Sequence, residues 1–229
     1  KDLGVVEVNV VGSGYYIAGL VGQNYGTVTR CYCTGVVRGG YNAGGLVSQN
    51  NGTINHCYST AAVSSSAGGG LVGYNHGTVM HCYSTGAVSG SSAGGLVGDR
   101  FGWFTELHNV WDIEASGQTT SAGGVGLTTA EMMDPTMLGL NGFANDPNWI
   151  LDAGRDYPRL AWEGTAGETI PEPKVDWLEG DGTADSSYRI DTADQLILLA
   201  RASTLWDRHF ILGADLDLGG QAGFRAGDR

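Results

Sequence analysis

The chain has 229 residues with 24 acidic and 12 basic side chains, a net charge of −12, and it is 41% hydrophobic and 16% charged with 39 glycines. That length fits one large domain or two small ones, the low charge excludes a charged disordered tail, and glycine without a triplet period excludes a collagen. The acidic balance argues against a nucleic-acid partner and against charge-driven binding of anionic lipid, and no apolar run is long enough for a spanning helix.

In chain order, the first element is a strand carrying Val5, Val8 and Val10. Residue 1 is Lys and no signal peptide is in view, so the chain is expected to be a processed or excised piece whose export signal lies upstream. Repeats follow: AGLVGQNYGTVTRCYCTGVV (18–37), GGLVSQNNGTINHCYSTAAV (44–63) and GGLVGYNHGTVMHCYSTGAV (69–88), with a fourth opening at GGLVGDRFG (94–102). Leu20, Leu46, Leu71 and Leu96 recur at steps of 26, 25 and 25 residues. Asn24, Asn50 and Asn75 keep the same steps, as do Thr27, Thr53 and Thr78, the cysteines Cys31, Cys57 and Cys82, and the tyrosines Tyr32, Tyr58 and Tyr83.

Each repeat joins strand-like runs such as Thr78–Tyr83 to glycine-rich breaks such as 89–95, without a helical stripe. So small a unit cannot bury its apolar side alone, and neighbours must stack. The expected fold is all-β: a parallel β-solenoid of about 25 residues per coil, with strands about 4.8 Å apart between coils, and a small C-terminal α+β segment. Leu, Val and Cys should form inward columns, and the asparagines a ladder of amide hydrogen bonds. Two readings of Cys31, Cys57 and Cys82 stay open, small core residues or a disulfide between adjacent coils, with the first favoured. Cys33 is expected to point away from Cys31. No zinc spacing is present among the four cysteines.

Past the repeats, Trp103, Phe104, Trp111 and Ile113 suit a terminal cap. Thr128 followed by Glu131 reads as a capping box opening a short helix. Trp149, Tyr157, Pro158 and Trp162 are expected to pack along the solenoid flank. The proline-bearing stretch GTAGETIPEP (164–173) reads as a linker. A strand at 188–190, a helix from Ala193 to Ala202 capped by Thr192 with Gln195, and strands at His209–Leu212 and 216–218 then make a second unit. The expected organisation is 1–115 solenoid with terminal coil, 116–163 capping and flanking segment, 164–173 linker, and 174–229 strand–helix–strand unit.

The motif GGLVGYNHGT with CYSTGAV after it resembles the GLUG repeat family. Val110-Trp111-Asp112-Ile113-Glu114, SGQTTSAGG (116–124), GLTTAEM (126–132) and WILDAGRDYPRL (149–160) resemble the segment that closes such arrays, so the likeness covers about residues 15–160. In the fourth repeat Asn109 and Val110 stand where Cys and Tyr are expected, which marks the terminal coil. The resemblance implies a β-solenoid in a large secreted bacterial protein, adhesin-like and extracellular, with no catalytic residue to carry over. The unit 174–229 resembles the segment that leads such arrays, yet here it comes last. Two explanations of that order stay open: a slice of a longer tandem protein, or a subunit whose C-terminal segment covers the open first coil of the next by strand addition. The interface would then use Val5, Val8, Val10, Phe210, Ile211, Leu212, Leu216 and Leu218.

Asp112 and Glu114, two apart on an expected strand, would share a face as a glycosidase pair does, but are read as solvated surface acids. His56 and His81 stack in register and lack a third ligand, so they are read as ladder residues rather than metal ligands. Asp181 with Asp185, and Asp215 with Asp217, match no calcium loop and are read as turn and strand-edge residues. No GxSxG elbow occurs. No catalytic, cofactor or metal site is assigned, and the chain is expected to be a non-enzymatic, extracellular structural or adhesive protein that self-associates or binds a cell-surface ligand. Its alternatives are a carbohydrate-binding module using Tyr15, Tyr16, Tyr25 or Tyr41, and a polysaccharide-degrading β-helix enzyme.

Overall fold

The computed structural model describes residues 1–102, 104–170, 175, 178–193, 195, 196, 199 and 205–216. Trp103, Asp217, Leu218 and most of the helix expected after Thr192 lie outside them. The chain divides into two units, Lys1–Lys174 and Val175–Arg229.

The first unit is a parallel β-solenoid with three faces per coil. The first face stacks Val21–Asn24, Val47–Asn50, Val72–Asn75 and Val97–Arg100, with Val21, Val47, Val72 and Val97 in register. The second stacks Thr27–Thr29, Thr53–Asn55, Thr78–Met80 and Thr105–Leu107. The third is an eight-stranded sheet running from Leu3–Val11 through Cys31–Arg38 and its successors to Val110–Asp112 and Val125–Leu127. That last strand carries the parallel sheet past residue 115. The opening strand is bulged between Val5 and Val8, a common device on an edge strand.

Two kinds of corner explain why the sequence coils. After the first face, Asn24, Asn50 and Asn75 each accept the backbone N–H two residues on, from Gly26, Gly52 and Gly77 at 3.1–3.2 Å. The same side chains build the ladder: Asn24 donates to Asn50 at 2.8 Å and Asn50 to Asn75 at 2.9 Å. After the second face, Arg30, His56, His81 and His108 take φ of 50–55°, the left-handed region. The return to the first face brings neighbouring backbones close. A Cβ on Gly70 would strike the carbonyl oxygen of Gly95 in the next coil.

The core columns are as the repeat implies: Leu46, Leu71 and Leu96 are fully buried, as are Val47, Val72 and Val97. All four cysteines are free and buried, so the core reading of the column holds and no bridge joins the coils. The sulfurs also accept hydrogen bonds: the Cys31 N–H points at Cys57 Sγ and the Cys57 N–H at Cys82 Sγ, both at 3.4 Å. In the terminal coil Asn109 takes the place of Cys, accepting from the Cys82 N–H at 3.0 Å and donating to the Val79 carbonyl. The expectation that Cys33 points away from Cys31 does not hold. Both lie inside, because residues two apart on a strand share a face and only Tyr32 between them points outward.

Those outward tyrosines form a second core. Tyr32, Tyr58 and Tyr83 stack with ring centroids 4.8 and 4.9 Å apart, within 5° of parallel. The flanking segment covers them. Trp149 packs on Tyr58 and Tyr83, Tyr157 on Tyr83, and Trp162 on Tyr32. Hydrogen bonds anchor the lid, from Trp162 Nε1 to the Arg30 carbonyl and from Tyr58 to Glu163. The segment itself begins with three short helices, Ile113–Ser116, Thr129–Met132 and Pro135–Leu140, capped by Asp112, Thr128 and Asp134. The Thr128–Glu131 capping box is present.

The second unit has its own small core of Val175, Leu178, Tyr188, Ile190 and Leu205. Tyr188–Ile190 pairs in parallel with Phe210–Leu212, and Thr192 and Gln195 exchange the expected capping hydrogen bonds. Asp215 and Leu216 lie outside any strand.

Candidate functional site

The second corner carries the densest chemistry. Because its residue recurs before each column position, coil stacking lays the corner side chains over one another. His56 and His81 stack at 4.8 Å and 7°, and His81 and His108 follow at 5.0 Å and 31°. In the first coil Arg30 instead pairs with Asp2 at 2.6 Å. The flank adds a carboxylate: Asp146 Oδ2 lies 2.6 Å from His56 Nε2, and the Asn148 amide nitrogen 3.2 Å from the same atom.

Burial works to raise the Asp146 pKa, but the Asn148 N–H and the His56 contact outweigh it, and the carboxyl is held below its usual range. Burial, with His56 beside it, pushes the His81 imidazole down, so the ring is neutral at neutral pH. His81 Nδ1 is buried with no hydrogen-bond partner. Ligand atoms of His56, His81 and Asp146 all lie within 4.8 Å of one another. The in-register histidine pair is therefore present, and the third ligand that sequence reasoning finds missing arrives from 90 residues away. His108, not singled out from sequence, was detectable: it precedes Asn109 as His81 precedes Cys82.

The carboxylate pair Asp112 and Glu114 is not a solvated surface pair. Both are buried, at 0% and 1% exposure, because the strand ends at Asp112 and the chain turns into a helix. Asp112 accepts from the backbone N–H groups of Glu114 and Ala115 and from the hydroxyls of Thr129 and Tyr157, all at 2.7–2.8 Å. Glu114 accepts from the Thr129 N–H at 2.9 Å. Burial pushes the Asp112 pKa up to about 6 despite these hydrogen bonds. The pair ties the terminal coil to the flank.

Tyr15, Tyr16 and Tyr41 form an exposed group, with Tyr15 6.5 Å from Tyr16 and 6.1 Å from Tyr41; Tyr25 is exposed apart from them. Among the expected interface residues, Val8 and Val10 pack on the solenoid core and Val5 is half-buried. Phe210 and Leu216 pack on the second unit's own core, and Ile211 and Leu212 are exposed. Asp181 accepts the Thr183 N–H at 3.0 Å, a turn role. An open cleft at the terminal coil is lined by Glu106, His108, Gly124 and Asn141. No helix among the described residues is long and apolar enough to cross a membrane.

Residues 64–89 match the family model described as the GLUG motif. No curated protein and no solved structure matches the chain.

Proposed function

We propose that this GLUG-repeat solenoid is a non-enzymatic structural and adhesive element of an extracellular surface protein. The observation that supports it is where the polar side chains go. The asparagine ladder, the tyrosine stack and the Asp112–Glu114 pair are all spent on holding coil to coil and coil to flank. A persistent scaffold is what such an arrangement provides. Head-to-tail assembly is part of this reading: the outer edge of Leu3–Val11 is unpaired among the described residues and exposes Leu3, Val6 and Val11, while the second unit exposes Ile211 and Leu212.

The test is electron microscopy of the full chain at micromolar concentration. Strings of subunits that disappear in a Val6→Lys, Val11→Lys double variant are the expected result. Single particles at every concentration refute the assembly. Release of reducing ends from a polysaccharide panel would replace the whole reading with an enzymatic one.

A second reading, a carbohydrate-binding module, is favoured by one observation. Tyr15, Tyr16 and Tyr41 present an exposed aromatic group held on successive coils, which suits stacking against sugar rings. A glycan-dependent rise in melting temperature that Tyr15→Ala abolishes supports it, and no shift across a glycan panel removes it.

A further inference from the structure

We propose that His56, His81 and Asp146 form a transition-metal site, with zinc as the fitting ion, that staples two coils to the flanking segment. The donor set is two imidazoles and one carboxylate, which zinc accepts in a tetrahedral shell with a fourth position left over. The geometry is near what the ion needs. Zinc bonds of 2.0–2.2 Å put ligand atoms about 3.3 Å apart. Here they lie within 4.8 Å, and the two rings are parallel. Closure requires the imidazoles to tilt toward each other about the Cβ–Cγ bond, a soft torsion.

Three further observations favour a ligand at this place. His81 Nδ1 is buried and has no partner, a cost that coordination or a ligand-induced ring turn removes. The short His56–Asp146 contact brings a carboxylate onto the nitrogen that would bind, at a side chain 12% exposed and an acid 14% exposed, so the ion would be largely shielded yet reachable. The rings are held on a left-handed corner shared by four coils, with φ varying only from 50° to 55°, so their spacing is set by the solenoid and not by loop motion. His108, 5.0 Å from His81, extends the same column. A metal here ties residues 56 and 81, on coils already paired with each other, to residue 146 of the flank, whose neighbouring strand Trp149–Ile150 pairs only with Arg159–Leu160. Its chemistry is structural, not redox.

The test uses the full, tag-free chain stripped with chelator. Titration calorimetry with zinc chloride should show a single zinc per chain and a higher melting temperature in the loaded protein. His81→Asn keeps a residue that tolerates the left-handed corner, and Asp146→Asn keeps an oxygen for the Asn148 N–H. Each should weaken zinc binding at least ~10-fold, while far-UV circular dichroism in chelator stays that of the parent. Cobalt(II) loaded in place of zinc should give a nitrogen- and oxygen-ligated spectrum without thiolate charge transfer, which needs no variant. No binding by the parent chain overturns the site. So does undiminished binding in both variants, and so does a thiolate band, which would move the ion to the cysteine column.

Discussion

Replacing Asn50 tests whether the ladder, and not the space it fills, holds the coils together. Asn50 is fully buried and makes four hydrogen bonds. It accepts from Asn24 at 2.8 Å and from the Gly52 N–H at 3.2 Å, and it donates to Asn75 at 2.9 Å and to the Thr78 carbonyl at 3.2 Å. At about 1 kcal/mol net per bond, Asn50→Ala should cost about 4 kcal/mol, which for a chain of this size lowers the melting temperature by roughly 8–16 °C. Asn50→Asp keeps the shape and the accepting oxygen but loses both donated bonds, and it sets a second acceptor against Asn75 Oδ1 and the Thr78 carbonyl. It should cost at least as much as alanine at neutral pH. Urea unfolding followed by circular dichroism measures both. An aspartate variant within about 1 kcal/mol of the parent would refute the ladder, because steric filling alone would then explain the residue.

Stability should also depend on pH through Asp112. Its folded pKa is raised to about 6 from an ordinary 3.8, so the folded state holds the proton more tightly. Stability is therefore greatest below pH 4 on this account, falls as pH rises toward 6, and is lower by about 3 kcal/mol above that, with Asp112→Asn flattening the slope in urea titrations across the window. Burial raises Glu106, Asp156 and Glu163 in the same direction, whereas Asp146 is lowered, so its contribution is full above about pH 4 and is lost as pH falls below that. Gly70→Ala should lose about 3 kcal/mol by overpacking against the Gly95 carbonyl, read from the same urea curves. The four thiols should be silent to a disulfide reagent in the native chain and react on unfolding: burial pushes Cys33 up to about 11 and Cys57 well above its usual range. Fast labelling of the native chain would contradict the buried column.

The solenoid was legible because every coil meets the same neighbours, so matched positions need matched residues. Leu46 and Leu71, Asn50 and Asn75, and Cys57 and Cys82 each report one recurring environment. The Thr128–Glu131 box was legible for a different reason, since its partners are three residues apart. What sequence could not supply were contacts made after the period ends. Asp112 reads as a surface acid until Thr129 and Tyr157 arrive from 17 and 45 residues on. Asp146 has no repeat partner to announce it. That Trp149, Tyr157 and Trp162 pack along the solenoid flank was legible, but not that the stacked tyrosines are what they cover. Cys33 was legible and misread, for strand alternation alone places it beside Cys31.

That lid has a consequence for how the protein changes over time. Solenoids gain and lose whole repeats readily, since a duplicated coil finds on each side the surfaces it came from. Here one continuous segment touches Tyr32 through Trp162, Tyr58 and Tyr83 through Trp149, and Asp112 through Tyr157. Its length is matched to the coils lying between those anchors. A coil inserted within that span would slide one anchor off its mark by a full strand spacing. The lid is a ruler, and it confines growth of the array to coils ahead of Tyr32.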